Sequence, residues 1–146
     1  MSKTNAAYVA GIIDGEGWIG IVKQSGYYRE QCKVDNTCKK LIDWLYHSFG
    51  GSYYQQKGKR EGNKMNYVWY LRKGQVYKIL KTVYPYMKVK RKQAEIIFQF
   101  EGTKERSSGR YYRLPDYVKK KREELMLQIK ALNHRSAAVE TKQTNT

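Results

Sequence analysis

The sequence predicts an α+β domain with a four-stranded, mainly antiparallel sheet covered by helices on one face. Hydrophobic periodicity indicates the order helix, two strands, helix, two strands and then helices. A short turn signal separates the first pair of strands, and a longer polar segment separates the second pair. A length of 146 residues suits one compact domain. The face of the sheet away from the helices is therefore expected to be free for a ligand.

An apolar run of small residues over 6–13 predicts the first helix. Thr4 and Asn5 precede it as candidate N-caps, and Gly15 and Gly17 mark its end. The pattern predicts a short helix directly before the first strand.

The first hairpin is predicted from strands at 18–24 and 28–34, which flank the turn signal Ser25-Gly26. Successive side chains on a strand point to opposite faces. The alternation predicts a polar face with Arg29, Gln31 and Lys33 and a second face with Glu30, Cys32 and Val34. Ile19 and Ile21 are expected to face the helices together with Cys32 and Val34.

The next three elements follow the same helix-strand-strand order. Residues 36–49 carry an apolar stripe at helical spacing, and Gly50-Gly51 is typical of a helix C-terminus. Residues 52–57 and 65–72 are predicted strands around a polar segment, which favours a hairpin with a basic tip.

The last part of the chain is predicted to be helical. Helices are expected at 74–84, where Pro85 stops the first of them, at 90–100, and after Pro115. Residues 136–146 carry little apolar content. We therefore predict a domain over 1–135 and a disordered tail over 136–146.

The net positive charge of the chain indicates a polyanionic partner. The 29 Lys and Arg residues against 13 Asp and Glu give a formal net charge of +16. Basic residues alternate with tyrosines, as in Tyr27-Tyr28-Arg29, which suits a folded nucleic-acid surface. Composition alone leaves a basic ribosome-type protein or a charged soluble domain as alternatives.

Several classes of protein are excluded by the sequence. No apolar run is long enough to span a membrane, and the first residues do not form a secretion signal. Cys32 and Cys38 stand apart from any His at ligand spacing, so neither a disulfide framework nor a zinc site is expected. We expect a soluble, unsecreted protein in the cytoplasm of a prokaryote or the interior of an organelle.

One segment carries a recognisable motif. Residues 8–17 read Y-V-A-G-I-I-D-G-E-G. This run resembles the LAGLIDADG motif of homing endonucleases: an Ala-Gly pair, two apolar residues, an acid, a small residue, an acid and Gly. A single copy resembles the single-motif members of that family, which work as homodimers.

The motif also makes physical sense by itself. Ala7, Ala10 and Gly11 leave a helix surface nearly bare, so two copies can pack closely about a twofold axis. That packing brings the two Glu16 carboxylates together, and paired acids repel unless cations lie between them. Carboxylate and carbonyl oxygens are ligands that Mg²⁺ prefers. The alternative is an ordinary helix-to-strand turn.

The resemblance implies a role for each residue of the motif. Glu16 and the carbonyl of Gly15 are expected to hold Mg²⁺, for which Mn²⁺ can substitute, and Asp14 is expected to orient the turn between helix and strand. Glu replaces the Asp that the family most often has at position 16. The change keeps the oxygen ligands and affects the geometry of the metal site.

A second match lies at 84–94, which read Y-P-Y-M-K-V-K-R-K-Q-A. This segment resembles the family's Pro-aromatic-apolar stretch before Lys, Gln and Ala. The resemblance implies that Lys90 is the active-site lysine. Its positive charge would offset negative charge in the transition state or help to polarise water. Without the resemblance, the lysines here are a solvated charge run at a helix start.

A third match follows the second strand, at Val34-Asp35-Asn36-Thr37. By resemblance, Asn36 contacts the solvent network around the metals, with Lys39 or Lys40 as a basic companion. The alternative for Asn36 is a helix N-cap.

The free face of the sheet is expected to read DNA. A β-sheet in the major groove presents alternate side chains to base edges, where Arg and Lys suit guanine and Gln suits adenine. The predicted DNA-facing residues are Gln24, Arg29, Gln31, Lys33, Tyr53, Gln55 and Lys57. At the second hairpin tip, Lys59, Arg60 and Lys64 are expected to contact phosphates.

The resemblance thus implies a homing endonuclease of an intron-homing system. Such an enzyme makes metal-dependent double-strand cuts across the minor groove of a long, nearly palindromic DNA site and leaves short 3′ overhangs. Alternatives of the same fold are an intron maturase, which binds RNA, and a regulator that binds DNA without cutting it. Retention of Glu16 and Lys90 favours the nuclease, since a binding protein needs no metal ligand.

Overall fold

A computed structural model describes residues 1–58, 62, 64–104 and 113–144, the last ten of them as backbone only. The helices are α1 (Lys3–Glu16), α2 (Lys39–Phe49), α3 (Gly74–Val83), α4 (Arg91–Gly102) and α5 (Asp116–Thr144), and a short 3-10 turn covers Tyr84–Tyr86. The strands are β1 (Gly17–Gln24), β2 (Tyr27–Asn36), β3 (Ser52–Gln56) and β4 (Asn66–Arg72). This order confirms the predicted α+β class.

The four strands form one antiparallel sheet in the order β1-β2-β4-β3. Ile19 pairs with Cys32, and Val34 pairs with Trp69. All four side chains are fully buried against the helices, which confirms the predicted faces of the first hairpin. The opposite side of the sheet, called the open face below, carries mainly polar side chains, together with Trp18, Val22 and Val68.

The prediction that Tyr53 and Gln55 of the third strand face the DNA is wrong, because the alternation of β3 is shifted by one residue. Ser52 pairs with Tyr70 and Tyr53 with Trp69, so Tyr53 and Gln55 lie on the helix side of the sheet. The Tyr53 ring packs edge-on against Tyr46 of α2, with ring centroids 5.2 Å apart. The sequence S-Y-Y-Q-Q of β3 has no apolar-polar alternation, so only its pairing with β4 fixes which side chains face the helices.

Helix α1 carries the motif and packs one of its sides into the core. Its buried side includes Val9, Ala10 and Ile13, which are fully inaccessible. The helix begins earlier than predicted, because Ser2 Oγ accepts a hydrogen bond from the Asn5 backbone N–H at 3.1 Å. Ser2 is therefore the N-cap, in place of Thr4 or Asn5.

Helix α5 lies along β1, an edge strand of the sheet. Asn133 Nδ2 donates a hydrogen bond to the carbonyl of Ile19 at 3.0 Å. A covered edge cannot pair with another strand.

The helical backbone of α5 continues through Thr144, past the point where a tail was predicted. The domain boundary at 135 stays a prediction. Among the described residues, no helix is long and apolar enough to cross a membrane.

The connection from α2 to β3 depends on glycine. Gly51 has φ +84°, and a Cβ there would lie 2.6 Å from the Tyr70 carbonyl oxygen. Replacing Gly51 with Ala should lower the free energy of unfolding by roughly 3 kcal/mol, because a left-handed backbone and a clash with neighbouring backbone add together. Thermal denaturation should show a midpoint about 10 °C lower.

Gly26 is the matched control for this substitution. It has φ +78° in the turn between β1 and β2, but nothing lies within 4 Å of a Cβ placed there. Gly26→Ala should cost only about 1 kcal/mol. Equal losses for the two variants would contradict the clash at Gly51.

Candidate active site and nucleic-acid interface

Glu16 is the last residue of α1 and its carboxylate is held in place from β2. Asn36 Nδ2 donates a hydrogen bond to Glu16 Oε2 at 2.6 Å. Glu16 is exposed, so this bond orients the carboxylate without removing it from solvent. The two residues therefore lie together at the C-terminal end of α1, as the sequence predicted.

Asn36 uses the other end of its amide to shape the turn before α2. Its Oδ1 accepts a hydrogen bond from the Cys38 backbone N–H at 2.7 Å. Helix α2 begins only at Lys39, so Asn36 organises the approach to the helix without being its N-cap. One side chain thus joins the start of α2 to Glu16.

Asp14 connects α1 to the segment before α4. Its carboxylate accepts hydrogen bonds from the backbone N–H groups of Lys88 at 2.6 Å and Lys90 at 3.0 Å. The Nζ of Lys90 in turn donates to the Asp14 carbonyl at 2.6 Å. Asp14 therefore positions Lys90 at the end of α1, which differs from the expected role of orienting the turn into β1.

The charge of Lys90 also acts on the buried Cys32 of β2. Burial raises the pKa of the Cys32 thiol to about 12, and the nearby charge of Lys90 opposes this rise. The Lys90 side chain thus lies at the end of α1, where its Nζ bonds the Asp14 carbonyl. Glu16, Asn36 and Lys90, which the sequence assigned to one site, meet at this end of α1.

The oxygen atoms at the end of α1 fit a divalent cation. Glu16 offers a carboxylate, and Gly15 contributes one of the last carbonyl groups of the helix, which lack intrahelical partners. Within the described part of the chain, no cluster of three metal-binding side chains occurs. The described residues at this helix end therefore offer one carboxylate and one carbonyl, which is the kind of partial ligand set that Mg²⁺ completes with water or phosphate oxygens.

One side of α1 is bare and exposed. Ala7, Gly11 and Gly15, spaced by four residues, line a shallow groove together with Tyr8 and other residues. A Cβ added at Gly11 or Gly15 would meet nothing within 4 Å. Packing inside this chain does not account for glycine at these positions.

Ala10 does not belong to this exposed side. It is fully buried in the core, so its prediction as a dimer contact is wrong. Residues 7 and 11 lie one helical turn apart, whereas residue 10 is rotated away from them by about 60–100° and joins Val9 and Ile13. Small residues occur on both sides of α1, so residue size could not tell the two sides apart.

The two candidate basic companions of Asn36 differ in their contacts. Lys39 Nζ lies 2.6 Å from Asp43 Oδ2 one turn along α2, and this hydrogen bond raises the pKa of Lys39. Lys40 is exposed beside it. Asp43 thus partly neutralises Lys39, which leaves Lys40 as the stronger candidate for contact with an anion.

The open face carries four of the residues predicted to contact DNA. Gln24, Arg29, Gln31 and Lys33 share it by the register of β1 and β2. Alternation on β3 and β4 adds residues that the sequence analysis did not select: Ser52, Tyr54, Gln56, Tyr70 and Arg72. Tyr70 and Arg72 alternate with buried Trp69 and Leu71, a signal that was available in the sequence.

The predicted basic tip is only partly covered by the structure. Lys57 and Lys64 are exposed on either side of it. Lys59 and Arg60 lie outside the described residues. Contact of this tip with phosphates stays a prediction.

Trp18 is an open-face residue that the sequence analysis missed. Its ring covers Gly20, where a Cβ would lie 2.2 Å from ring atoms. The Lys33 ammonium lies 5.6 Å from the ring centroid on the same face. The open face near the start of β1 therefore carries an aromatic ring with a positive charge beside it.

This fold is similar to solved homing endonucleases. I-CvuI in complex with its target in the presence of calcium matches with a TM-score of 0.67 and 19% identity, over 88% of this chain and 82% of that chain. The archaeal intron-encoded I-Vdi141I complexed with DNA matches with a TM-score of 0.57 and 14% identity, over 85% of this chain and 98% of that chain.

A third match covers a smaller part of the other protein. The LAGLIDADG homing endonuclease I-SmaMI bound to cleaved DNA gives a TM-score of 0.58 and 24% identity, over 85% of this chain and 43% of that chain. No protein-family model matches the chain, and a search of curated proteins found no match. At these identities the similarity shows the fold, which is that of LAGLIDADG homing endonucleases.

Proposed function

We propose that this chain is a homodimeric, site-specific homing endonuclease that makes metal-dependent double-strand cuts in DNA. The observation that carries the proposal is the exposed Glu16 carboxylate at the C-terminal end of α1, held by Asn36. Lys90 is fixed at the same helix end by its bond to the Asp14 carbonyl. An acid, an amide and a cation thus converge where the open face begins.

The position of Glu16 is unfavourable for the isolated chain. A helix C-terminus carries partial negative charge, so a carboxylate there costs roughly 0.3–1 kcal/mol. The last turn of α1 contains no basic residue of its own, and the Lys90 ammonium at this helix end offsets only part of the charge through its bond to the Asp14 carbonyl. A divalent cation removes the conflict, which supports a role for Glu16 in metal binding.

Each residue at this site would have a separate role in phosphodiester hydrolysis. Glu16 and the Gly15 carbonyl would hold Mg²⁺, or Mn²⁺ in its place, which supplies Lewis-acid chemistry for the reaction. Asn36 keeps the carboxylate oriented toward the DNA. Lys90 offers a positive charge that stabilises the extra negative charge on the phosphate as the bond breaks.

The dimer completes the site. The exposed side of α1 carries Ala7 and Gly11, whose small size lets two helices approach closely about a twofold axis. Twofold packing brings two Glu16 carboxylates to the centre, one for each DNA strand. A symmetric dimer recognises a nearly palindromic site, because the symmetry of the protein is matched by that of its target.

The open face would lie in the major groove on each side of the centre. Gln24, Arg29, Gln31 and Lys33 share that face and have the donors and acceptors that read base edges. The resemblance to homing endonucleases adds that the cuts cross the minor groove and leave short 3′ overhangs. Exposed Lys57 and Lys64 would contact phosphates near the hairpin tip.

The test is a selection of duplex DNA from a randomised pool in Ca²⁺, followed by addition of Mg²⁺. We expect enrichment of a long, nearly palindromic sequence that is cut on both strands once Mg²⁺ is present. Sequencing of the ends should show short 3′ overhangs. Enrichment without cutting would instead show a DNA-binding regulator, and no enrichment, with binding to structured intron RNA, would show a maturase.

A further inference from the structure

A second cationic site lies at the end of the sheet away from Glu16. A groove of about 550 Å³ lies where α3 begins, and its lining includes Arg29 of β2, Arg72 of β4, Lys73 just before α3 and Lys78 of α3. Arg29 and Arg72 approach it from the open face, and Lys78 from the helix side. We call these four residues the outer basic groove.

Among the described residues, no carboxylate forms an ion pair with the charges of this groove. None of the ion pairs between described side chains involves Arg29, Arg72, Lys73 or Lys78. Four like charges around one concave surface repel one another and attract an anion. The groove therefore has the electrostatics of an anion site.

The groove also provides suitable geometry for a phosphate. The Arg72 guanidinium lies over the Tyr70 ring, 5.0 Å from its centroid, which restricts the orientation of its planar donors. Guanidinium groups bind phosphate with two parallel hydrogen bonds, whereas lysines contribute point charges. Helix α3 starts at the same place without a side-chain cap, so its first N–H groups add to the positive potential.

The position of the groove can be measured along the sheet. Arg72 pairs with Gln31, which precedes Asn36 by five residues on β2. At about 3.3 Å per residue along β2, the Arg72 side of the groove, which is the side nearer the centre, lies roughly 17 Å from the Glu16–Asn36 site. Successive phosphates on one strand are about 3.4 Å apart along the DNA axis, so this distance corresponds to about five base pairs.

We propose that the outer basic groove binds a backbone phosphate of the DNA target about five base pairs outward from the cut in each half-site. This inference rests on the proposed function, because it assumes DNA on the open face. The phosphate contact fixes the register of the sheet on the duplex and adds affinity that does not depend on base sequence.

The experiment compares two double variants that each remove two positive charges. Arg72→Gln with Lys78→Gln changes the groove, and Lys120→Gln with Lys121→Gln changes exposed positions on α5 that do not line it. Binding of the full chain to the selected duplex and to a random duplex is measured by fluorescence anisotropy across a range of salt concentrations.

The groove variant should bind both duplexes about ten- to a hundredfold more weakly, with a slope of log Kd against log salt lower by about one to two. The α5 variant should keep the wild-type affinity and slope within about twofold. Replacing single phosphates with neutral methylphosphonates should weaken wild-type binding most at about the fifth base pair from the cut, and should have little effect there on the groove variant.

Two results would overturn the inference in different ways. Normal DNA binding by wild type, with equal affinities and slopes for the two double variants, would refute the groove and leave the proposed function standing. A wild-type protein that binds neither duplex would refute the proposed function, and the inference with it.

Discussion

Glu16→Gln is expected to reduce the rate of DNA cleavage by about 10³-fold or more while DNA binding persists. A divalent cation supplies several kcal/mol of transition-state stabilisation, and each 1.36 kcal/mol is tenfold in rate. Gln keeps an oxygen that accepts the hydrogen bond from Asn36, so the fold at the end of α1 is preserved. Single-turnover cleavage and anisotropy on the same duplex measure the two effects separately.

Glu124→Gln is the control for this substitution. Glu124 is an exposed carboxylate of α5, so its removal changes the net charge by the same amount away from the proposed site. Cleavage by this variant should equal that of wild type. A Glu16→Gln protein that still cuts at the wild-type rate would exclude Glu16 as a metal ligand, and the nuclease proposal would lose its main support.

Gly11→Leu is expected to convert the protein to a monomer that is still folded. Nothing lies within 4 Å of a Cβ at Gly11, so this chain accepts a side chain there, and replacing a helical glycine favours the helix by roughly 0.5–1 kcal/mol. The same side chain blocks close approach of a second α1. Sedimentation velocity should show loss of the dimer, and thermal denaturation should show an unimpaired domain.

Loss of the dimer should also weaken binding to the complete site by about 100-fold or more, because the two half-sites are no longer engaged by linked subunits. Gly102→Leu is the matched control, since Gly102 also lies in a helix, in α4, with open space around it. This variant should remain a dimer that cuts DNA. A Gly11→Leu protein that still sediments as a dimer and cuts DNA at the wild-type rate would show that α1 is not the interface.

The first hairpin was predictable because its sequence alternates clearly. Ile19, Cys32 and Val34 are apolar and fully buried, while Arg29, Gln31 and Lys33 alternate with buried positions on the neighbouring face. A shift by one residue would expose every apolar side chain, so one register is strongly favoured. The open face of this hairpin followed directly from that pattern.

The third strand and α1 were less predictable for a physical reason. Tyr53 and Tyr54 are adjacent and chemically alike, so neither face of β3 is marked by hydrophobicity. Ala7 and Ala10 are equally small, yet one is exposed and the other buried. In both elements the local sequence indicates whether the residues form a helix or a strand. Contacts with other elements decide which of its faces is buried.

The sequence by itself determined the order of helices and strands, the faces of the first hairpin and the acid at the end of the motif helix. These features depend on local periodicity and turn chemistry, which neighbouring residues specify. Only the tertiary structure decided that Asp14 holds the backbone of Lys88, 74 residues away, and that Arg29 and Lys78 line one groove. Such pairings arise because packing of the whole chain brings together residues whose local sequences contain no information about each other.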